Sequence, residues 1–405
     1  MPFNEPKPIP INGHRLAGLD SLRALAIIIV LLYHYKVVVS NEDTFGYITQ
    51  IGWMGVDLFF VLSGYLICNQ ILQVITQKDT FSLRQFYMRR LLRTLPNYYA
   101  VCLLYFICSD TLTGIATAPW WQFLTFTQNF SFRPMATFTH SWSLCIEEQF
   151  YLLVPLIFML IAGAKRQALW AWLIIIIGMS LGLAARMVAW FSYGQSSMSF
   201  GDYYQHIYYS SFTRFDELLP GIAIAVLKNF HAQAFNWLLN RANLILATGV
   251  IIFGILIYAF PHCHHQDTAG FNFLLSTLGY SILALSFALI TCAALAPNSV
   301  LAKWHVPGAA QIALWSYAIY LIHKPLFKLL IAPLAQMNIN SHTPLGISII
   351  MGLSVFAGWL LFKCVETPFM IIRARYTATT ASTLPIPHKN IITRIFQIDF
   401  VRKSR

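Results

Sequence analysis

Ten stretches of this chain are apolar, and all but the short third and sixth run over a length that only a lipid bilayer explains. They cover residues 22–39, 52–75, 95–109, 144–162, 169–191, 212–227, 244–260, 271–294, 310–334 and 345–372. A hydrocarbon core about 30 Å thick takes roughly 20 helical residues to cross. Lipid offers no partner for backbone N–H and C=O groups, so each segment must satisfy its own by coiling. The expected fold is therefore all-α: a polytopic transmembrane helix bundle of about ten spans. Composition agrees, because only 10% of residues are charged, against roughly 25% in soluble domains. Residues 1–17 read as a polar, proline-rich cytoplasmic segment, and the apolar run behind them is long enough to stay as a helix. One transmembrane domain over 18–373 and a basic cytoplasmic tail over 374–405 complete the expected organisation. The absence of an internal repeat counts against a transporter built from two related halves.

Lysine and arginine set the expected orientation. They concentrate in segments that face inwards if the N-terminus is cytoplasmic, above all Arg84, Arg89, Arg90 and Arg93 and the run from Arg373. Among outer loops Arg133 is the clear exception. The positive-inside rule then puts both termini in the cytoplasm. The net charge of +12 follows from this topology and from contact with anionic membrane lipids, so nucleic acid is not needed to explain it. Seven cysteines, mostly inside apolar spans, do not form a disulfide framework. The tract "PHCHHQ", with His262, Cys263, His264 and His265, lacks regular ligand spacing, and no dedicated metal site is expected.

Polar residues inside the spans carry the functional reading. In "LDSLRALAIIIVLLYHYK", Arg23 and His34 are eleven residues apart, which is three helical turns and roughly 16 Å of rise. They share one face, and lipid would not hold both cheaply, so that face is expected to look into protein. Arg23 alone also fits a residue that snorkels to the inner interface, and His34 fits either an interfacial or a proton-transferring histidine. Asp57, in "GWMGVDLFFVLSGYLI", either caps its helix or supports a nearby histidine or arginine. Arg90 and Arg93 lie one turn apart in "SLRQFYMRRLLRTLPNYY". Their forked guanidinium groups suit phosphate oxygens, though topology alone would also place charge there. In "THSWSLCIEEQFYLL", Glu147 and Glu148 open a span beside His140 and Ser143, and Glu148 and Tyr151 face one way. Further polar positions are Arg214, Asp216 and Glu217 in "FTRFDELLPG", His323 and Lys324 in "WSYAIYLIHKPLF", and Glu366 in "VETPF".

In this order the stretches resemble the membrane acyltransferase-3 family, the multi-spanning bacterial O-acyltransferases of surface polysaccharides. Arg23 and His34 match its arginine–ten residues–histidine motif, Arg90 and Arg93 its arginine–two residues–arginine motif. Ser143, Glu148 and Tyr151 match its serine–four–glutamate–two–tyrosine motif, and "GVDLFFVLSGYLI" its second helix. The resemblance runs from about Gly18 to Arg373. It implies an acyl-coenzyme A donor, usually acetyl-CoA, and a carbohydrate hydroxyl as acceptor, on lipopolysaccharide O-antigen, exopolysaccharide or a lipid-linked precursor, at the bacterial inner membrane. Under that implication Arg90 and Arg93 hold donor phosphates, and His34 acts as general base or, alternatively, as a transient acyl carrier. Glu148 or Asp57 orients the imidazole, Arg23 steadies the donor or an inner carboxylate, and Ser143, Tyr151 and His323 form walls of the substrate site. A small-molecule or glycan transporter using the same intramembrane charges is the competing reading.

Overall fold

The computed structural model describes residues 16–77, 81–194, 198–263, 270–304 and 306–382, and among them there are helices and no strands. The first helix, α1 (Ala17–Tyr35), carries Asp20 in its first turn, where the helix dipole favours an acid. A π-helical turn, Lys36–Ser40, extends it, and Asn41 reverses the chain at φ 55°. Asp43 closes that corner by accepting from Lys36 Nζ at 2.5 Å and Gln50 Nε2 at 2.8 Å. Then follow α2 (Met54–Thr76), α3 (Leu83–Ile107), α4 (Trp142–Ala162) and α5 (Gln167–Tyr193). The second half holds α6 (Leu219–Phe230), α7 (Ala242–Cys263), α8 (Tyr280–Ala294), α9 (Ala309–Gln336), α10 (Pro344–Leu361) and α11 (Thr367–Ser382). A π-helical turn, Phe362–Glu366, joins the last two.

Eight of the ten expected stretches fall in helices long and apolar enough to cross a bilayer. The other two differ, for reasons visible in their sequences. The stretch at 95–109 is the distal half of α3, whose proximal half carries Arg84, Arg89, Arg90 and Arg93. The stretch at 212–227 contains Arg214, Asp216 and Glu217, and there the chain forms a short helix, Ser211–Arg214, and a 3-10 turn, Phe215–Leu218. Only the 12 residues of α6 follow, about 18 Å of helix, too short for a full span.

Burial separates the centre of the bundle from its lipid-facing rim. In α8 with its preceding π-helical turn, 78% of the apolar window is buried against protein, compared with 17% in α5 and 22% in α7. Exposed Ile176, Ile177, Leu181 and Val188 give α5 an apolar surface that only lipid suits. The central helix α2 contacts α1, α4, α6 and α8. Its crossing with α6 is close at two glycines, one from each helix. A Cβ on Gly64 would lie 2.1 Å from the Leu218 carbonyl oxygen, and one on Gly221 2.0 Å from that of Val61. Small residues at such a crossing let backbones approach and gain dispersion contact. The ends of the bundle are tied as well. Asn97 on α3 donates to Glu366 at 2.8 Å, which brings the end of α10 to the side where α1 begins.

The close α2–α6 crossing generates a prediction. Gly221→Ala must push the two backbones apart, at a cost of about 1–3 kcal/mol. The thermal midpoint of the detergent-purified variant should fall measurably; an unchanged midpoint would show that the crossing yields without loss.

Candidate active site

Five helices enclose a cavity of about 280 Å³ on the side where α1 begins. Arg23 enters from α1, Ser63 and Gln70 from α2, Arg90, Arg93 and Thr94 from α3, Ser143, Glu147 and Tyr151 from α4, and Ser316, Tyr317 and Tyr320 from α9. The spacing of Arg90 and Arg93 puts both on one face of α3. Pro96 lies inside α3, and Tyr317 on α9 donates to the carbonyl of Thr94 at 2.9 Å. Three guanidinium groups therefore line the cavity against one carboxylate. Among the described residues none of the three forms an ion pair. Arg90 lies 4.8 Å from the centroid of the Tyr151 ring. Glu147 accepts from Ser63 Oγ and from the Tyr151 hydroxyl, both at 3.0 Å. Its oxygens are thus engaged by neutral donors, and the arginines remain open to an anion.

Beyond the cavity along α9 stand three histidines. His34 Nδ1 and His323 Nε2 are 3.0 Å apart. Ring centroids are separated by 4.9 Å for His34 and His323, 5.2 Å for His140 and His323, and 6.3 Å for His34 and His140. Tyr320 bridges the two regions. Its hydroxyl donates to the carbonyl of His140 at 2.6 Å, so Ser143 Oγ, 2.7 Å away, must donate to it. Ser143 and Tyr320 both line the cavity.

The sequence-predicted residues therefore separate into four groups. Arg23, Arg90, Arg93, Ser143 and Tyr151 meet in the cavity. His34 and His323 meet each other outside its lining. Glu148 is not among the lining residues, and its neighbour Glu147 takes that place. Of the two kinds of partner read for Asp57, a histidine or an arginine, the structure gives it the arginine. Asp57 accepts from Arg214 Nη2 at 2.8 Å, and Glu217 accepts from the same nitrogen at 3.1 Å and also faces Arg214 Nε. The guanidinium lies 4.0, 4.8 and 5.1 Å from the ring centroids of Tyr280, Tyr208 and Trp142. Asp57 thus neutralises a buried arginine rather than holding an imidazole.

A second buried pair was not read from the sequence. Arg186 on α5 meets Asp216 through two bonds, at 2.6 and 2.8 Å. Its remaining donors reach the carbonyls of Thr277 and Thr213 and the hydroxyl of Ser281. An arginine in the middle of an apolar run was the available signal. His264 and His265 of the "PHCHHQ" tract and the basic residues from Lys389 onwards lie outside the described residues.

Comparisons with known proteins agree with the motif pattern. A family model described as an acyltransferase domain matches residues 16–363. An O-acetyltransferase, OatA, of Staphylococcus aureus strain NCTC 8325 is 28% identical over 373 residues, covering 87% of this chain and 57% of its own. A putative O-acetyltransferase of Staphylococcus aureus strain COL is 26% identical over 385 residues with the same coverage. The chain thus spans little more than half the length of these relatives. No solved structure matches it significantly.

The two buried networks predict unequal losses. Asp216→Asn leaves Arg186 without its carboxylate and should cost about 3–5 kcal/mol. Asp57→Asn leaves Arg214 with Glu217 and should cost distinctly less. Thermal unfolding in detergent checks the order; equal losses would show that Glu217 does not compensate Arg214.

Proposed function

The chain belongs to the acyltransferase-3 family, and from that premise we propose that it is an O-acyltransferase of the bacterial inner membrane. It takes an acyl group, acetyl in the first instance, from cytoplasmic acyl-CoA. It transfers that group to a hydroxyl of an extracytoplasmic carbohydrate, a surface polysaccharide such as O-antigen or exopolysaccharide, or its lipid-linked precursor. The names of its relatives support acetyl as the group moved. The observation that carries the reading is the division of α1. One end supplies Arg23 to a cavity with an excess of guanidinium groups, and the other presents His34, held by a second histidine.

With the arginine end facing the cytoplasm, Arg90 and Arg93 hold the donor's phosphates and Arg23 adds a third positive charge. Glu147 fixes the Tyr151 phenol, whose ring face steadies Arg90. The thioester arm runs past Ser63 and Ser143 along α9 towards the histidines. There His34 removes the acceptor hydroxyl's proton as its oxygen attacks the thioester carbonyl. Collapse of the tetrahedral intermediate breaks the carbon–sulfur bond, and the departing thiolate receives the proton from His34. The ester leaves on the acceptor and coenzyme A returns to the cytoplasm.

The test is mass spectrometry of surface glycans from cells lacking the gene and complemented with wild type or His34→Ala at matched membrane abundance. Wild type should restore O-acyl groups and His34→Ala should leave them absent. Normal acylation by the variant would remove His34 from the chemistry.

The donor end is tested separately. Changing Arg90 and Arg93 together to lysine keeps the charge that sets topology but loses the planar fork. Loss of a charge-assisted contact worth about 1.5–3 kcal/mol should weaken acetyl-CoA binding about tenfold to hundredfold. Calorimetry on the detergent-purified variant reads this directly, and unchanged affinity would return the pair to a purely topological role.

A further inference from the structure

The three histidines differ in what they can do, and hydrogen-bond bookkeeping separates them. His323 Nδ1 lies 3.1 Å from the carbonyl oxygen of Ile319, one turn earlier on α9. A carbonyl can only accept, so Nδ1 of His323 carries the proton. In the neutral ring Nε2 is then a bare acceptor. Its partner at 3.0 Å is His34 Nδ1, which must therefore donate. A neutral imidazole has one N–H, so His34 Nε2 is left with an open lone pair. Free imidazole side chains favour the opposite tautomer, with the proton on Nε2, and the bond made by one ring nitrogen decides the state of the other. We propose that His323 is the positioning residue of the transfer reaction: it holds His34 in the Nδ1-protonated tautomer and so makes Nε2 the basic nitrogen.

Burial supports this division of labour. His323 is 0% exposed and His140 1% exposed, whereas His34 is only half-buried. His34 is thus the one a substrate can reach, and His323 stands behind it. His140 is not the orienting partner. Its Nε2 lies 3.1 Å from the Leu321 carbonyl, to which it must donate, and its ring is farther from His34. Acidic partners are engaged elsewhere, Asp57 by Arg214 and Glu147 by Ser63 and Tyr151. Among the described residues no carboxylate bonds to any of the three rings.

A neutral partner has a chemical consequence. A carboxylate would stabilise the imidazolium form of His34 by opposite charge; His323 offers only a lone pair. After His34 takes the acceptor's proton, its positive charge is balanced chiefly by the oxyanion of the tetrahedral intermediate. The proton is then readily returned to the departing thiolate. His323 neither gains nor loses a proton in this sequence.

The inference rests on the reading of His34 as general base, and the experiment separates the two. Two variants are compared with wild type and His34→Ala in complemented cells. His323→Leu removes the acceptor, while His323→Gln places an amide oxygen near the position of Nε2. Surface-glycan O-acetylation at matched abundance should fall by about 100-fold or more in His323→Leu. His323→Gln should recover most of it. Acetyl-CoA affinity, measured by calorimetry, should be unchanged in both. In histidine-15N-labelled wild type, the ring signals absent from His34→Ala should be those of a bare Nε2 and a protonated Nδ1. In His323→Gln they should persist, and in His323→Leu they should move to the opposite tautomer. A protonated Nε2 in the wild type overturns the inference even if His323→Leu fails to fold. So does full acetylation by a folded His323→Leu. Normal acetylation by His34→Ala instead sinks the general-base reading itself.

Discussion

A guanidinium group inside an apolar bundle must find negative charge or keep contact with solvent, and this requirement organises the molecule. Arg186 and Arg214 meet it with carboxylates. Arg186 satisfies all five of its donors through Asp216, Ser281 and two backbone carbonyls. Arg214 lies between Asp57 and Glu217. Together these networks tie α2, α5, the turn before α6 and α8 into one body, in a region where dispersion alone would leave helix orientation weakly determined. Removing one member leaves a buried charge behind, so each pair fixes arrangement more than it adds net stability.

Against that background the other arginines stand out. Arg23, Arg90 and Arg93 face a shared cavity with no carboxylate in ion-pair contact with them among the described residues, and the acid in the cavity lining, Glu147, is engaged by hydroxyl groups. The same residue type thus has two uses, distinguished by what surrounds it. Where the protein supplies the counter-charge, arginine is structural. Where it withholds the counter-charge, the guanidinium keeps the capacity to pair with an anion. The contrast explains why counting intramembrane arginines is less informative than asking which have partners.

What the sequence makes legible follows from the range of each signal. Hydropathy is local, and it locates the eight long helices well. It mistakes α3 and α6, because four arginines occupy the first half of one and a buried charged turn shortens the other. Helical spacing is also local. It places Arg90 with Arg93, and Arg23 on the face of His34, but cannot say which of two adjacent acids borders the cavity. Glu147 lines the cavity and Glu148 does not. Partners distant in sequence are outside its reach. Asp57 meets Arg214 157 positions away, and His34 meets His323 289 positions away. Each of these residues draws notice from its sequence alone, and the pairings emerge only when helices pack. Arg186 is the instructive omission: an arginine flanked on both sides by apolar residues demanded a partner, and the demand was readable even though Asp216 was not.

The two ends of the site also differ in how their electrostatics are maintained. At the arginine end, charge is permanent, and positions are set by rings and hydroxyls around it, as Tyr151 does beneath Arg90. At the histidine end every hydrogen-bonded partner is neutral: the carbonyls of Ile319 and Leu321, and the rings themselves. Between them Tyr320 joins Ser143 to the backbone of His140, so the wall of one region is bonded to the frame of the other. Arg23 stands roughly 16 Å along α1 from His34, while a nearer cation, Lys324, directly follows His323 in the chain and acts on all three imidazoles. A carboxylate among the histidines would hold a proton there permanently. Neutral hydrogen-bond partners supply these rings with no counter-charge, so a proton acquired there is held weakly and readily given up.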